Sequence, residues 1–384
     1  MTTRNTWLST IALGLLLQGT TLAAGPSIKY VKTAATGSGN CTSWANACTL
    51  GTGLAAATSG SQLWCKGGTY TLTGTLTLKN GVKIIGGFAG TETLASQSDA
   101  SGQVSILDGG GTQVVSGDDN GASTVLRGFT IKNGSADEGG GIYLENSSAL
   151  IVDCIFENNT ASDFGGAVVV KGSGSPQFIN TIFRNNGGTG TAHPHGGGAV
   201  FAYRGSPQFV NCLFHNNKAQ EGGAVMVAFG TPTFINTTFA DNQATVSYGG
   251  AIADQNGNAT LKNCIVWNNT AARTIAIHKQ LYCGSGGSTL ATYSDIDGGW
   301  VGSTNINANP LFTSPGVGDY KPLEGSPCID SGENAALPPD AGNLDWDMDT
   351  DEITPRDLSG NYRTDGSPVD MGPWEGWTES MSRK

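Results

Sequence analysis

The sequence predicts an all-β solenoid: a single-stranded parallel β-helix with an N-terminal cap and an irregular C-terminal module. Three observations predict it. First, two short motifs recur in step. One is Phe156-Glu157-Asn158-Asn159, Phe183-Arg184-Asn185-Asn186, Phe214-His215-Asn216-Asn217, Phe239-Ala240-Asp241-Asn242 and Val266-Trp267-Asn268-Asn269. The other is a glycine pair followed by a small and a β-branched residue, its second glycines being Gly140, Gly166, Gly198, Gly223 and Gly250. Second, the glycine steps are 26, 32, 25 and 27 residues, a solenoid period with strand-like content. Third, Gly is 58 of 384 residues, about twice the usual share, and charged residues are 13%, about half of it. That composition opposes long helices, and the glycines lack the period of three of a collagen. With a net charge of −11 the chain is no nucleic-acid binder, since phosphate contact needs a basic surface.

The elements follow in order. Residues 1–24 read as a secretory signal peptide: Arg4, the apolar run Trp7 to Leu17, and the small-residue region Leu22-Ala23-Ala24. The run is too short for a membrane span, and no later run approaches the length of one, so no transmembrane segment is expected after its removal. Residues 25–68 form a cap with a short helix around Leu50 to Thr58 that closes the first coil. Residues 69–304 carry the coils, roughly eight to ten of them. Residues 305–384 form an acidic module: 324–375 hold 13 of the 31 acids and two bases, Arg356 and Arg363. The crossover preference makes the helix right-handed.

Stacking at the strand spacing of about 4.8 Å turns each repeated position into a ladder. Asparagines tolerate left-handed turns and bond the backbone of the next coil. Alternation puts Cys154, Thr181, Cys212, Thr237 and Cys264 in one inward ladder and Phe156, Phe183, Phe214, Phe239 and Val266 in the next. Val168, Val200, Val225 and Ile252 line a third strand. The residues beside them then face outward. Tyr143, Val169, Phe201 and Met226 form one apolar column, and Ile155, Ile182, Leu213 and Ile265 a second. An exposed apolar stripe marks an interaction site. The first column is therefore the expected docking surface, for self-association or for sugar stacking through Tyr143 and Phe201.

The paired motifs over residues 139–269 resemble the repeats of the polymorphic outer-membrane proteins. The flanks resemble a broader group of secreted bacterial right-handed β-helix proteins. Ser43-Trp44-Ala45-Asn46-Ala47, Gly68-Thr69-Tyr70 and Gly86-Gly87-Phe88-Ala89-Gly90-Thr91-Glu92 look like that group's cap and first coils. Asn309-Pro310-Leu311-Phe312, Gly325-Ser326-Pro327-Cys328, Asp357-Leu358-Ser359-Gly360-Asn361-Tyr362-Arg363 and Val369-Asp370-Met371-Gly372 look like its C-terminal module, of the choice-of-anchor type. The resemblance implies the fold and export; many chemistries share such a scaffold.

Eight cysteines in an exported chain suggest disulfides. One pair is expected among Cys41, Cys48 and Cys65, while Cys154, Cys212 and Cys264 sit two coils apart and read as small buried hydrophobes. Alternate carboxylates in Leu344-Asp345-Trp346-Asp347-Met348-Asp349-Thr350-Asp351-Glu352 suit Ca²⁺, with Asp345, Asp347, Asp349 and Asp351 as oxygen ligands. The run departs from an EF-hand loop, with Thr350 in place of glycine and Arg356 in place of the closing Glu. Aligning coils by the second glycine puts Asp163, His195 and Glu221 along one turn edge, as a general acid/base cluster or as a polar edge facing water. Lys171, Tyr203 and Arg204 lie near one strand end, but no lyase or glycosidase motif accompanies them.

The expected function is accordingly that of a secreted or cell-surface non-catalytic protein with an adhesive, matrix or structural role. Its partner is an extracellular polysaccharide, a surface or matrix protein, or a second copy of itself. The alternative is a polysaccharide lyase or glycoside hydrolase acting on an extracellular polysaccharide.

Overall fold

The computed structural model describes residues 26–188, 196–273, 278–284, 286–340, 356–363 and 368–376. The motif-bearing coils run through four parallel sheets. In chain order these are sheet I of ten strands, sheet II of nine, a short sheet III of six, and sheet IV of eight. One coil shows the path: Leu150–Val152 in sheet I, Ile155–Glu157 in II, Thr160–Phe164 in III and Val168–Lys171 in IV. Each strand pairs with its equivalent one coil away, as in Phe156↔Phe183, Phe183↔Phe214, Phe214↔Phe239 and Phe239↔Val266. The fold is a parallel β-helix.

The repeated residues explain the corners. The turn from sheet I to II uses Asp153, Asn180, Asn211, Asn236 and Asn263, all with φ between 49° and 53°. The first asparagine of each pair turns sheet II into III, as at Asn158, Asn185 and Asn216, with φ near 55°. The second points inward. Asn186 Nδ2 donates to Phe156 O at 2.9 Å and to Asn217 Oδ1 at 3.0 Å, and Asn217 and Asn242 repeat the pattern. These buried amides are satisfied by the coils on either side, which ties each coil to its neighbours. The glycine pairs divide their labour. Gly197 takes φ +73°, whereas a Cβ on Gly198 would strike the Gly223 carbonyl oxygen of the next coil.

Phenylalanines fill the interior in two offset stacks. Phe156, Phe183, Phe214 and Phe239 follow at 5.1, 4.4 and 4.8 Å, and Phe178, Phe209 and Phe234 at 4.9 Å each. The two stacks meet edge to face, for example Phe178 with Phe183 at 5.8 Å. Ring spacing thus matches strand spacing, and both favoured aromatic geometries are used. Cys154, Cys212 and Cys264 are buried free thiols, pushed up to about 12 by burial. Cys212 Sγ lies 3.4 Å from Val210 O, and Thr181 Oγ1 donates to Ile179 O at 3.0 Å. Thiol and hydroxyl fill the same ladder position in the same way.

At the N-terminal end, a disulfide joins Cys41 to Cys48 and an α-helix covers Leu50–Ala56. Thr49 caps the helix, and Leu50 packs into the core with Val31 and Leu63. The parallel sheet itself begins earlier than residue 69. Ile28–Val31 and Gln62–Lys66 are its first two strands, and the helix lies within that first turn.

The C-terminal module lies against the outer face of sheet II. The second outward column is therefore covered along Leu213 and Ile265. Leu213 is buried with Tyr320, and Ile182, Phe312, Leu358 and Trp374 pack on them; Ile265 is buried with Cys328 and Met371. Ile155 and Ile182 line a groove between residues 98–105 and Leu358. The corner asparagines hold the module: Asn211 Nδ2 donates to Arg356 O at 2.7 Å, Asn236 Nδ2 to Asp370 O at 3.1 Å and Asn263 Nδ2 to Glu333 O at 3.1 Å. Inside the module Arg363 is buried among Asp357, Asp370 and Glu375. One cation cannot balance three carboxyls, and burial pushes Glu375 up to about 8 against the pull of Arg363.

Candidate functional site

One column runs along the outer face of sheet IV. Tyr143, Val169, Phe201, Met226, Ala253 and Tyr282 are register partners in six successive strands. The wall beside it comes from the turn before each glycine pair, where Glu138 stands opposite Phe164 and Gly196 opposite Glu221.

The middle of this column is not the exposed stripe that strand alternation alone predicts. Val169, Phe201 and Met226 are buried in a small cluster outside the main core, with Tyr143 half-buried at its edge. Phe164 folds over the face and stacks on Phe201 at 4.3 Å. Met226 lies so close to Gly196 that a Cβ there would strike its sulfur. The residues do point away from the main core, but their neighbours cover them.

Two ends of the face stay polar. At the Tyr143 end of the column Lys171 forms an ion pair with Glu138 and lies 5.7 Å from the Tyr143 ring centre. Tyr143 Oη donates to Glu145 Oε2 at 3.3 Å. Burial, with Glu145 and Glu138 beside it, pushes the Tyr143 hydroxyl up to about 12. It stays protonated and serves as a donor.

At the C-terminal end Glu221, Tyr248, Gln255, Arg273 and Tyr282 line a cavity of about 260 Å³. Tyr248 and Tyr282 stack at 4.5 Å, and the Arg273 guanidinium lies 5.4 Å from the Tyr248 ring centre. His278 meets Tyr282 edge-on at 5.2 Å. Glu221, 7% exposed, accepts from Gln255 Nε2 at 3.0 Å and Ser247 Oγ at 3.3 Å. Burial and the Glu221 charge raise the Tyr282 hydroxyl, while Arg273 pulls it down. The cavity thus offers aromatic surface, a cation, a carboxylate and an amide at one mouth.

Of the expected edge cluster, Glu221 lines this cavity. Asp163 is exposed and belongs to the column beside that of Glu221, two coils earlier, so the pair does not meet as a dyad. His195 lies outside the described residues, as do Asp345, Asp347, Asp349 and Asp351. Among the described residues no group of three His, Cys, Asp or Glu side chains converges on a metal site, and no helix is long and apolar enough to cross a membrane. Tyr282, Arg273 and His278 escaped the sequence reading because the last coil lacks the glycine pair. His278 and Lys279 stand there instead, since they precede Leu281 as Gly249 and Gly250 precede its register partner Ile252. Continuing the valine ladder from Ile252 to Leu281 would have found Tyr282.

Residues 114–294 match the family model of the right handed beta helix region. The solenoid is a right-handed parallel β-helix. Among solved structures, pectate lyase Pel9A is similar at a TM-score of 0.54 and 14% identity, over 92% of this chain and 97% of that one. A rhamnogalacturonan lyase is similar at a TM-score of 0.37 and 13% identity, over 72% of this chain and 90% of that one. The Pel9A likeness is one of fold. No curated protein sequence matches the chain.

Proposed function

We propose that this is an exported right-handed β-helix protein with an adhesive or matrix role, holding an extracellular polysaccharide on the outer face of sheet IV without cleaving it. The cavity of Tyr248, Tyr282, Arg273 and Glu221 carries this reading. Aromatic rings take the apolar face of a sugar, while arginine, amide and carboxylate take its hydroxyls and charged substituents. The signal-like segment 1–24 and the Cys41–Cys48 disulfide support export, because disulfides persist in oxidising compartments. Isothermal titration against a panel of extracellular polysaccharides tests it. Tyr282→Ala and Arg273→Gln should each weaken binding at unchanged melting temperature, with no sugar released. Binding indifferent to both variants would end this reading. A surface protein or a second copy as ligand would appear as binding or self-association without glycan.

The alternative is a carbohydrate-active enzyme, favoured by one observation. Glu221 shares its cavity with Arg273 and Tyr282, a carboxylate beside a cation and a hydroxyl. Lyase chemistry fits this better than glycoside hydrolysis, because Glu221 is the one carboxylate among the described residues lining the cavity. Release of unsaturated sugars, lost in Glu221→Gln, would establish it. The acidic run at Asp345, Asp347, Asp349 and Asp351 is proposed to bind Ca²⁺. Calorimetric titration should show calcium heat that disappears when Asp347 and Asp349 become Asn, and no heat at millimolar calcium would refute it.

A further inference from the structure

The corner from sheet IV to sheet I is left-handed in coil after coil. Asp119, Asn146, Gly172, Arg204, Phe229 and Asn256 occupy it, with φ of 51°, 48°, 76°, 64°, 58° and 60°. The first five donate their backbone N–H groups in turn to the next coil, to Glu145 O, Lys171 O, Tyr203 O, Ala228 O and Gln255 O. Asp, Asn and Gly enter this region at little cost. A phenylalanine there is an outlier, and such strain persists where a function keeps it. Packing does not explain the choice, since Phe229 is 56% exposed.

Phe229 ends a run of aromatic rings that starts under cover. Phe164 stacks on Phe201 at 4.3 Å, Phe201 meets Tyr203 at 6.1 Å, and Tyr203 meets Phe229 edge-on at 6.2 Å. The run surfaces at Tyr203, which is half-buried, and then at Phe229. Arg204, the other unusual residue of the corner, is exposed, with its guanidinium 5.1 Å from the Tyr203 ring centre. It makes no ion pair among the described residues.

We propose that Phe229, Tyr203 and Arg204 form a second sugar contact, a shelf on which a pyranose ring stacks while Arg204 bonds its substituents. This rests on the polysaccharide reading of the sheet IV face. Phe229 follows the strand of Met226, two strands before that of Tyr282, so the two aromatic contacts lie in strands roughly 10 Å apart. One sugar cannot span them. An oligosaccharide can, and linking two contacts raises affinity steeply with ligand length.

The test is Phe229→Asn, which restores the residue type of the corner. Titrations use mono-, tri- and hexasaccharides of neutral cellulose and acidic polygalacturonate type, with Tyr282→Ala alongside. The variant should melt at the same temperature or higher, because strain is relieved, yet bind the hexasaccharide about fivefold or more weakly. Phe229→Trp should keep affinity. A preference for the acidic series that Arg204→Gln removes would assign the arginine to a carboxylate; equal loss in both series would assign it to hydroxyls. Unchanged hexasaccharide affinity in Phe229→Asn, with affinity lost in Tyr282→Ala, would overturn the shelf and leave the cavity standing. A lower melting temperature with unchanged binding would make Phe229 a packing residue and also overturn it. No binding by the native protein would overturn both.

Discussion

Tyr143 and Tyr282 are the first and last aromatic members of one ladder, in the same register on the same face. At Tyr143 the charged groups pair with one another. Lys171 holds Glu138 and lies over the ring, and Glu145 takes the hydroxyl. At Tyr282 the ring stacks on Tyr248, Arg273 reaches the same aromatic pair, and the group opens on a cavity. Register fixes where a side chain points. The residues one coil away decide whether it is left available to a ligand. Between the ends, Phe164 settles the matter by covering Phe201.

The largest expected effect lies in that covered middle. Phe201→Ala removes a buried ring from between Phe164 and Met226 and should cost about 3–5 kcal/mol, read as a fall in the denaturant midpoint. A near-neutral result would mean that the middle is as accessible as the ends. Next comes the interior ladder. Asn217→Ala leaves Asn186 N without its acceptor and Asn186 Nδ2 with Phe156 O alone, and should cost about 1–3 kcal/mol.

A pH series separates the two faces, because titrating groups sit under the module on sheet II. Burial holds Glu375 at about 8, above its ordinary 4.5, so the folded state keeps a proton that the unfolded chain releases. Its contribution is complete below about pH 4.5 and is lost as pH rises through about 8. His215 works in the opposite sense. Burial, with Arg184 nearby, pushes it down from 6.5 to about 4, so its contribution is complete above about pH 6.5 and is lost as pH falls through about 4. Melting temperatures across this range should flatten on the alkaline side in Glu375→Gln. An unchanged profile would place the proton elsewhere in the Arg363 cluster.

The repeat made most of this architecture legible. Phe-x-Asn-Asn and Gly-Gly sit at corners and ladders whose chemistry admits few other residues, so the coil path, the inward rings and the buried thiols could be read directly. The strands Ile28–Val31 and Gln62–Lys66 could not, because the first turn spends its length on a helix and a disulfide and carries no motif. The candidate site was legible only in part. Strand alternation located the outward column but not its cover, since a single coil carries Phe164. Glu221 and Tyr248 stood out by alignment, whereas Tyr282 and Arg273 lie in or beside the coil where the motif fails.

The smallest stability effect is expected at the Tyr143 end. Lys171→Met breaks a partly exposed ion pair and should change stability by about 0–1 kcal/mol. It should leave glycan binding untouched. A binding loss there would extend the site along the whole face.

The most direct measurement compares Tyr143→Ala with Tyr282→Ala by isothermal titration, using whichever polysaccharide the native protein binds. Native affinity is expected for the first and about a tenfold or greater loss for the second, at matched melting temperatures. Equal losses, or a loss confined to Tyr143→Ala, would contradict that expectation.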